Sequence, residues 1–366
     1  MKEDQFPPNG ISARFEVHYS RFLDTKGVVV SKPLPDWASD ANILLPVYEN
    51  MLLTRAFDTA ALTLQRTGRL GTYASPLGQE AIAAGVASAM QAADVLLPSY
   101  REFGAQLWRG VSITELLLFW GGDERGSDFQ GPREDFPVSI PVASHCCHAV
   151  GVAYAFKLRR QARAVACFIG DGATSKGDFY EALNAAGAWK LPVLFVVTNN
   201  QWAISVPIHK QTAAQTLAQK AIAAGVDSEQ VDGNDLLAVR FAADQALENA
   251  RSGGGPYLIE ALTYRRADHT TADDASRYRD TAEVEAQIVN DPIQRISAYL
   301  IQTGLWDPER DSQLQADCER RVSEAVTDYL ATPVQSVESL FDFLYAELPT
   351  ALAAQRASAL DEPADD

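Results

Sequence analysis

Residues 168–200 read FIGDGATSKGDFYEALNAAGAWKLPVLFVVTNN, and this stretch decides the fold. Its upstream end belongs to an apolar run, AVACFI at 164–169, which includes Val165, Cys167 and Ile169 and has the length of a buried strand. Gly170 and Gly172 flank Asp171 where the chain must turn sharply and let a ligand approach its backbone. Asp178 and Glu181 mark a helix start. Phe179, Ala182, Leu183, Ala186 and Trp189 then recur at helical spacing, Pro192 stops the helix, and VLFVV at 193–197 is a second buried strand. Two parallel strands joined by a helix form a right-handed unit, and such sheets bind ligands beyond the carboxyl ends of their strands. Asp171 and Asn200 both fall there. Gly-Asp-Gly alone fits an ordinary βαβ unit whose Asp caps a helix. The Asn199-Asn200 pair at this spacing turns the reading to a site. A carboxylate and an amide oxygen beside a glycine-lined turn suit a magnesium ion carrying a diphosphate.

Around that unit the expected fold is α/β, a doubly wound, mostly parallel sheet flanked by helices. Residues 1–42 form an N-terminal arm, irregular and containing Pro7, Pro8, Pro33 and Pro35, suited to lie over a partner. Residues 43–330 form the ligand-binding domain, and 331–366 a helical C-terminal segment with the acidic tail Asp361–Asp366. The pattern from Ile43 to Gly110 reads as helical, with Ala-rich packing over Ala81–Ala93. Residues 121–141 read as a loop, and 266–282 as a polar, mobile segment.

With 366 residues and 47% hydrophobic content, the chain has material for a large core. Its net charge of −17, with no basic cluster, argues against nucleic acid and anionic membrane surfaces as partners. The apolar runs are too short to span a bilayer, and the N-terminus, with Lys2, Glu3 and Asp4, lacks a signal-peptide core. Four cysteines in so long a chain make no disulfide framework, which points to a reducing, cytoplasmic setting.

The Gly-Asp-Gly to Asn-Asn stretch resembles the thiamine-diphosphate motif. The wider chain resembles the alpha subunit of the decarboxylating dehydrogenase in 2-oxoacid dehydrogenase complexes. The resemblance runs from about residue 45 to about 350 and is carried by GRLGTYASPLGQEA at 68–81, LPSYREFGAQLWRG at 97–110, QVDGNDLLAV at 230–239 and LIEALTYRRADHTTADDASRYR at 258–279. It implies the diphosphate-binding half of a thiamine-diphosphate fold. By this resemblance, Asp171, Asn200 and the main-chain carbonyl of Trp202 hold Mg²⁺. Gly170, Gly172 and Ala173 line the diphosphate turn, where backbone N–H groups meet the anion. Tyr100 and Arg101 contact the phosphates, against the bland reading of Arg101 as a surface ion pair with Glu102. Val142 lies against the aminopyrimidine, though by itself it reads as core. Arg265 braces the loop or contacts phosphate.

His269 is the implied catalytic residue, supporting acyl transfer to the lipoyl arm of the acyltransferase component and able to carry a proton near neutral pH. The glutamate that activates the cofactor in this family belongs to a beta subunit, so an α₂β₂ assembly is expected, inactive as the alpha chain alone. The substrate is a small 2-oxo acid. GRLGTYASPLGQEA and AAQTLAQKAIAAG at 213–225 favour pyruvate, while the HTTADDASRYR loop is shared with branched-chain enzymes.

Departures mark this chain. Ala74 stands where animal pyruvate-type chains carry histidine. His145-Cys146-Cys147-His148 replaces a more usual stretch; it invites a zinc reading that adjacent cysteines make awkward. Ser139, Pro141 and Ser144 resemble a potassium-binding loop that His145 disturbs, and Asp268 precedes the catalytic histidine unusually. Thr270 aligns with a position phosphorylated in animal relatives, where added charge beside cofactor and substrate would inhibit. A nicotinamide dehydrogenase is disfavoured because no Gly-x-Gly-x-x-Gly follows a predicted strand. A non-catalytic assembly subunit with the same fold is the remaining alternative.

Overall fold

The computed structural model describes residues 11–361. Prolines 7 and 8 of the arm and nearly all of the acidic tail lie outside the described residues. The chain divides into two compact units, residues 1–326 and 327–366.

The first unit is built on a six-stranded parallel sheet in the order β1-β7-β8-β4-β3-β2. Its strands are β1 (His18–Ser20), β2 (Val95–Leu97), β3 (Val165–Gly170), β4 (Val193–Asn199), β7 (Asp227–Asp232) and β8 (Tyr257–Leu262). Two short strands, β5 (Trp202–Ala203) and β6 (Val206–Pro207), form an antiparallel hairpin apart from it. The helices preceding β3 are α1 (Ala41–Arg66), α2 (Glu80–Ala89), α3 (Phe103–Arg109), α4 (Ile113–Trp120) and α5 (Ser144–Leu158). Then follow α6 (Gly177–Trp189), α7 (Ile208–Gln211), α8 (Gln219–Ile222), α9 (Leu236–Arg251), α10 (Thr281–Ala286), α11 (Pro292–Gln302) and α12 (Pro308–Ala331). The second unit contains α13 (Ser339–Asp342) and α14 (Thr350–Asp361).

Strand alternation explains why β3 and β4 are apolar throughout. Val165, Cys167 and Ile169, with Val193, Phe195 and Val197, face the layer of α5 and α6. Ala166, Phe168, Leu194 and Val196 face the layer of α2 and α9. Both faces are therefore buried, as a doubly wound sheet requires. The order β2, β3, β4 advances in one direction with α5 and α6 on one face. The step from β7 to β8 runs the other way with α9 on the opposite face. The direction reverses between β4 and β8, and the crevice at such a reversal is where these sheets take ligands.

Three local expectations are corrected. The arm is not irregular throughout: His18–Ser20 pairs in parallel with Glu229–Val231, and the Phe22 and Leu23 N–H groups donate to Asp235 Oδ2 (2.7 and 2.6 Å). The Ile43–Gly110 region is interrupted by β2, too short to show an alternation of its own. Helix α6 begins one residue early, so Asp178 lies in its first turn, with Lys176 at the N-cap position making no side-chain cap. Among the described residues, no helix is long and apolar enough to cross a membrane. All four cysteines are free thiols.

Candidate active site

The ends of β3 and β4 open onto a cavity of about 670 Å³. Gly170, Asp171, Gly172, Ala173, Asn200 and Trp202 line one side. Tyr100, Arg101, Val142, His269 and Thr270 also line it. Of the site residues expected from sequence, Arg265 alone is absent from the lining.

Asp171 starts a single 3-10 turn, Asp171–Ser175, closed by Thr174 Oγ1 donating to the Asp171 carbonyl (2.8 Å). A Cβ on Gly172 would stand 2.7 Å from the Cβ of Ala203, so only glycine lets β5 lie against the turn. The asparagine pair divides its work. Asn199 Nδ2 donates to Glu260 Oε1 (2.6 Å) on the neighbouring strand. Asn200 faces the cavity, its Oδ1 accepting from the Trp202 N–H (3.3 Å) and its Nδ2 donating to Gln79 Oε1 (3.2 Å).

The Asp171 carboxyl is almost fully buried, and burial pushes its pKa up against the opposing hydrogen bond from Gln211. That partner is an uncharged amide, Nε2 to Oδ2 at 2.6 Å. A buried carboxylate whose hydrogen-bonding partner carries no charge is the position a cation would compensate. One carboxylate, one amide oxygen and one main-chain carbonyl fit a hard divalent ion that takes its other ligands from water and phosphate. Gln79 Nε2 and Gln211 Oε1 are buried without partners, and Gln79 lines the cavity. Neither glutamine was singled out from sequence, although Gln79 sits in the quoted segment at 68–81.

Tyr100 and Arg101 lie in the loop after β2. Arg101 is buried but makes no ion pair with Glu102, whose carboxylate instead accepts the Arg101 backbone N–H (3.2 Å). The Arg101 guanidinium donates from Nη1 to the Ser75 carbonyl and from Nη2 to the His269 carbonyl, each at 2.6 Å. A buried guanidinium bonded to carbonyls is poised for an anion.

Arg101 Nη2 also lies 3.2 Å from His269 Nδ1. A guanidinium only donates, so Nδ1 accepts and the imidazole proton is on Nε2. Burial, then the nearby Arg101 and Arg265 charges, push the His269 pKa down to about 4. For the chain by itself this sets the imidazole toward its neutral form near neutral pH, against the expectation of a readily protonated one. Its ring stands perpendicular to that of Tyr100, with centroids 6.1 Å apart.

Arg265 is fully buried and braces the backbone. Nη1 donates to the Trp202 carbonyl (3.2 Å), and Nη2 to the Ile204 carbonyl (2.7 Å) and to Tyr278 Oη (2.9 Å). Tyr278 Oη in turn donates to Asp273, which also accepts the His269 N–H (2.9 Å). The 266–282 segment is thus tied inward at several points. Val142 is 44% exposed at the cavity instead of being core.

The His-Cys-Cys-His stretch opens α5 and does not converge. His145 Nε2 pairs with the Phe168 carbonyl (2.6 Å), Cys147 is exposed, and His148 stacks on Phe136. Among the described residues, no group of three or more His, Cys, Asp or Glu could hold a metal, which removes the zinc reading. The Ser144 hydroxyl donates to the Pro141 carbonyl (3.0 Å) and lies 3.3 Å from that of Ser139.

The sequence profile of the dehydrogenase E1 component family matches residues 48–338. The 3-methyl-2-oxobutanoate dehydrogenase subunit alpha of Mycobacterium tuberculosis is 42% identical over 310 residues, 85% of this chain and 84% of that protein. The pyruvate dehydrogenase E1 component subunit alpha of Staphylococcus aureus is 39% identical over 349 residues, 95% and 93% of the two chains. Its namesake in Acholeplasma laidlawii is 42% identical over 316 residues, 85% and 91%.

Proposed function

The chain belongs to the dehydrogenase E1 component family, and from that premise we propose that it oxidatively decarboxylates pyruvate and passes the acetyl group to a lipoyl domain of an acyltransferase core. At the coarser level it is the alpha subunit of a thiamine-diphosphate-dependent 2-oxoacid dehydrogenase, an oxidoreductase that works with a beta subunit. The observation that carries the reading is one cavity lined by Asp171, Asn200 and Trp202 as well as by Tyr100, Arg101 and His269.

Thiamine diphosphate, when bound, supplies the carbon nucleophile and the electron sink for decarboxylation. Asp171, Asn200 and the Trp202 carbonyl would hold Mg²⁺. Gly170, Gly172 and Ala173 would leave the backbone open to the diphosphate. Tyr100 and Arg101 would bind its oxygens, and Val142 would meet the aminopyrimidine. Arg265 keeps the Trp202–Ile204 backbone in place. Once protonated on both ring nitrogens, His269 would be able to give its Nε2 proton to the sulfur of a lipoyl ring as that ring opens, returning to the neutral imidazole. Bound anionic phosphate would raise the basicity of this imidazole. A potassium ion, if used, would meet Ser139, Pro141 and Ser144. The assembly would be α₂β₂ and cytoplasmic, with the site completed by the beta chain.

The branched-chain reading rests on the Mycobacterium tuberculosis relative, named for 3-methyl-2-oxobutanoate. The acids differ by apolar volume, a discrimination of about 1–3 kcal/mol per methylene. The test is turnover with an artificial electron acceptor, with and without the beta partner, on each acid. A higher kcat/KM for pyruvate, seen only with the partner, is expected. Preference for 3-methyl-2-oxobutanoate would select the second reading, and no turnover of either by a well-formed complex would overturn both.

A further inference from the structure

Behind the cavity lies a carboxylate for which the chemistry above has no use. Asp58, on α1, is 2% exposed and makes no ion pair among the described residues. Its Oδ1 accepts from Tyr73 Oη (2.9 Å) and its Oδ2 from Ser75 Oγ (2.8 Å). Burial pushes its pKa up to about 6, against these two hydrogen bonds. A buried carboxylate is costly, and apolar packing would stabilise such a place at least as well. What it offers is two acceptor oxygens for two hydroxyls at once.

The same two residues carry the His269 loop on their backbones. The Tyr73 N–H donates to Thr271 Oγ1 (3.0 Å), and the Tyr73 carbonyl accepts the Thr271 N–H (2.9 Å). The Ser75 carbonyl accepts from Arg101, whose other guanidinium nitrogen holds the His269 carbonyl and faces Nδ1. Two routes therefore run from one carboxylate to the His269 loop, through Tyr73 to Thr271 and through Ser75 and Arg101 to His269 itself. The Tyr73 ring also packs against Phe57, Phe103 and Trp120, which should keep the segment folded in a variant that loses the hydroxyl bond, while that bond adjusts where the segment sits.

We propose that Asp58 is a positioning residue for His269, clamping the Tyr73 and Ser75 side chains so that their backbones set the imidazole. This rests on the assignment of His269 to acyl transfer. Asp58→Asn keeps the shape but removes the charge and one acceptor, so one of the two hydroxyls must turn and accept from the amide instead of donating to a carboxylate.

The experiment compares acyl transfer to a lipoyl domain with decarboxylation by an artificial acceptor, in the complex with its beta chain. The readout is the ratio of the two rates, with the KM for the 2-oxo acid and the thermal midpoint alongside. Asp58→Asn and Tyr73→Phe are expected to lower the ratio by about ten- to a hundredfold, as a misplaced catalytic group does. KM should change little, and combining Asp58→Asn with His269→Ala should lower the ratio no further than His269→Ala alone. If His269→Ala lowers the ratio and the two other variants do not, Asp58 is structural and the proposal is overturned. If His269→Ala leaves the ratio unchanged, the His269 assignment falls, and this proposal with it. Should Asp58→Asn fail to assemble, Tyr73→Phe, which removes a single hydroxyl, decides alone.

Discussion

Arg101 holds His269 at two points from one nitrogen: Nη2 donates to the His269 carbonyl at 2.6 Å and faces its Nδ1 at 3.2 Å. The contact fixes ring and tautomer together and sets a positive charge against the imidazole.

The charge state follows and can be measured. Histidine NMR of the cofactor-free chain should place the His269 midpoint near 4, below the ordinary 6.5. Burial is the largest cause and Arg101 the next, so Arg101→Gln should move the midpoint upward while leaving it depressed. The folded pKa lies below the unfolded one. The stability this histidine contributes is thus complete above about 6.5 and is lost as pH falls through about 4. A midpoint at or above 6.5 in the free chain would contradict the contact.

Asp171 separates affinity from stability. Asp171→Asn removes a buried charge but retains the shape, so the cofactor-free chain should melt at the same temperature or higher. Cofactor affinity in the presence of Mg²⁺ should fall by about a hundredfold or more, since losing even an outer partner of a metal ligand costs 10–100-fold. Calorimetric titration, with melting in thiamine diphosphate and Mg²⁺, reads both effects. Unchanged ligand-induced stabilisation would remove Asp171 from the metal site.

How much of this was legible in the sequence depended on distance along the chain. The β3–α6–β4 unit could be read because its apolar runs, Gly170, Asp171, Gly172 and Pro192 are neighbours whose spacing carries the information. Strands β1 and β2 could not: each has three residues, and each exists because β7 or β3 offers it an edge. The cavity face of Asn200 was visible, but not Gln79 and Gln211, whose partners come from remote segments. Arg265 could be placed near the site but not turned toward Trp202 and Ile204. His269 could be singled out by its resemblance to the family's catalytic loop. Its neutrality could not, because the burial and the neighbouring charges that suppress its proton are assembled only by folding.

Gly172 tests the fit of the turn to the hairpin. A Cβ there would meet the Ala203 Cβ at 2.7 Å, so Gly172→Ala must displace either the diphosphate turn or the 202–204 backbone that carries the Trp202 carbonyl. Cofactor affinity should fall by about ten- to a hundredfold while the chain still folds, because a shift of about an ångström suffices. Gly177→Ala is the control, since its nearest neighbour would be the Glu181 side chain at 3.8 Å. Equal affinity in the two variants would show that the turn has room to spare.

Arg265 tests whether the brace needs a fork or only a charge. Its guanidinium reaches two carbonyls and one hydroxyl from a fully buried position. Lys at 265 would keep the charge but offer a single nitrogen, which cannot span the Trp202 and Ile204 carbonyls in the planar geometry of the original. Each hydrogen bond to a charged group contributes about 1.5–3 kcal/mol, so Arg265→Lys should destabilise the chain by about 2–4 kcal/mol in urea unfolding. The hairpin it holds supplies the Trp202 carbonyl, so Mg²⁺-dependent cofactor binding should weaken in the same variant. If stability falls and cofactor affinity holds, the brace serves the fold alone, and the Trp202 carbonyl is not a ligand whose position matters.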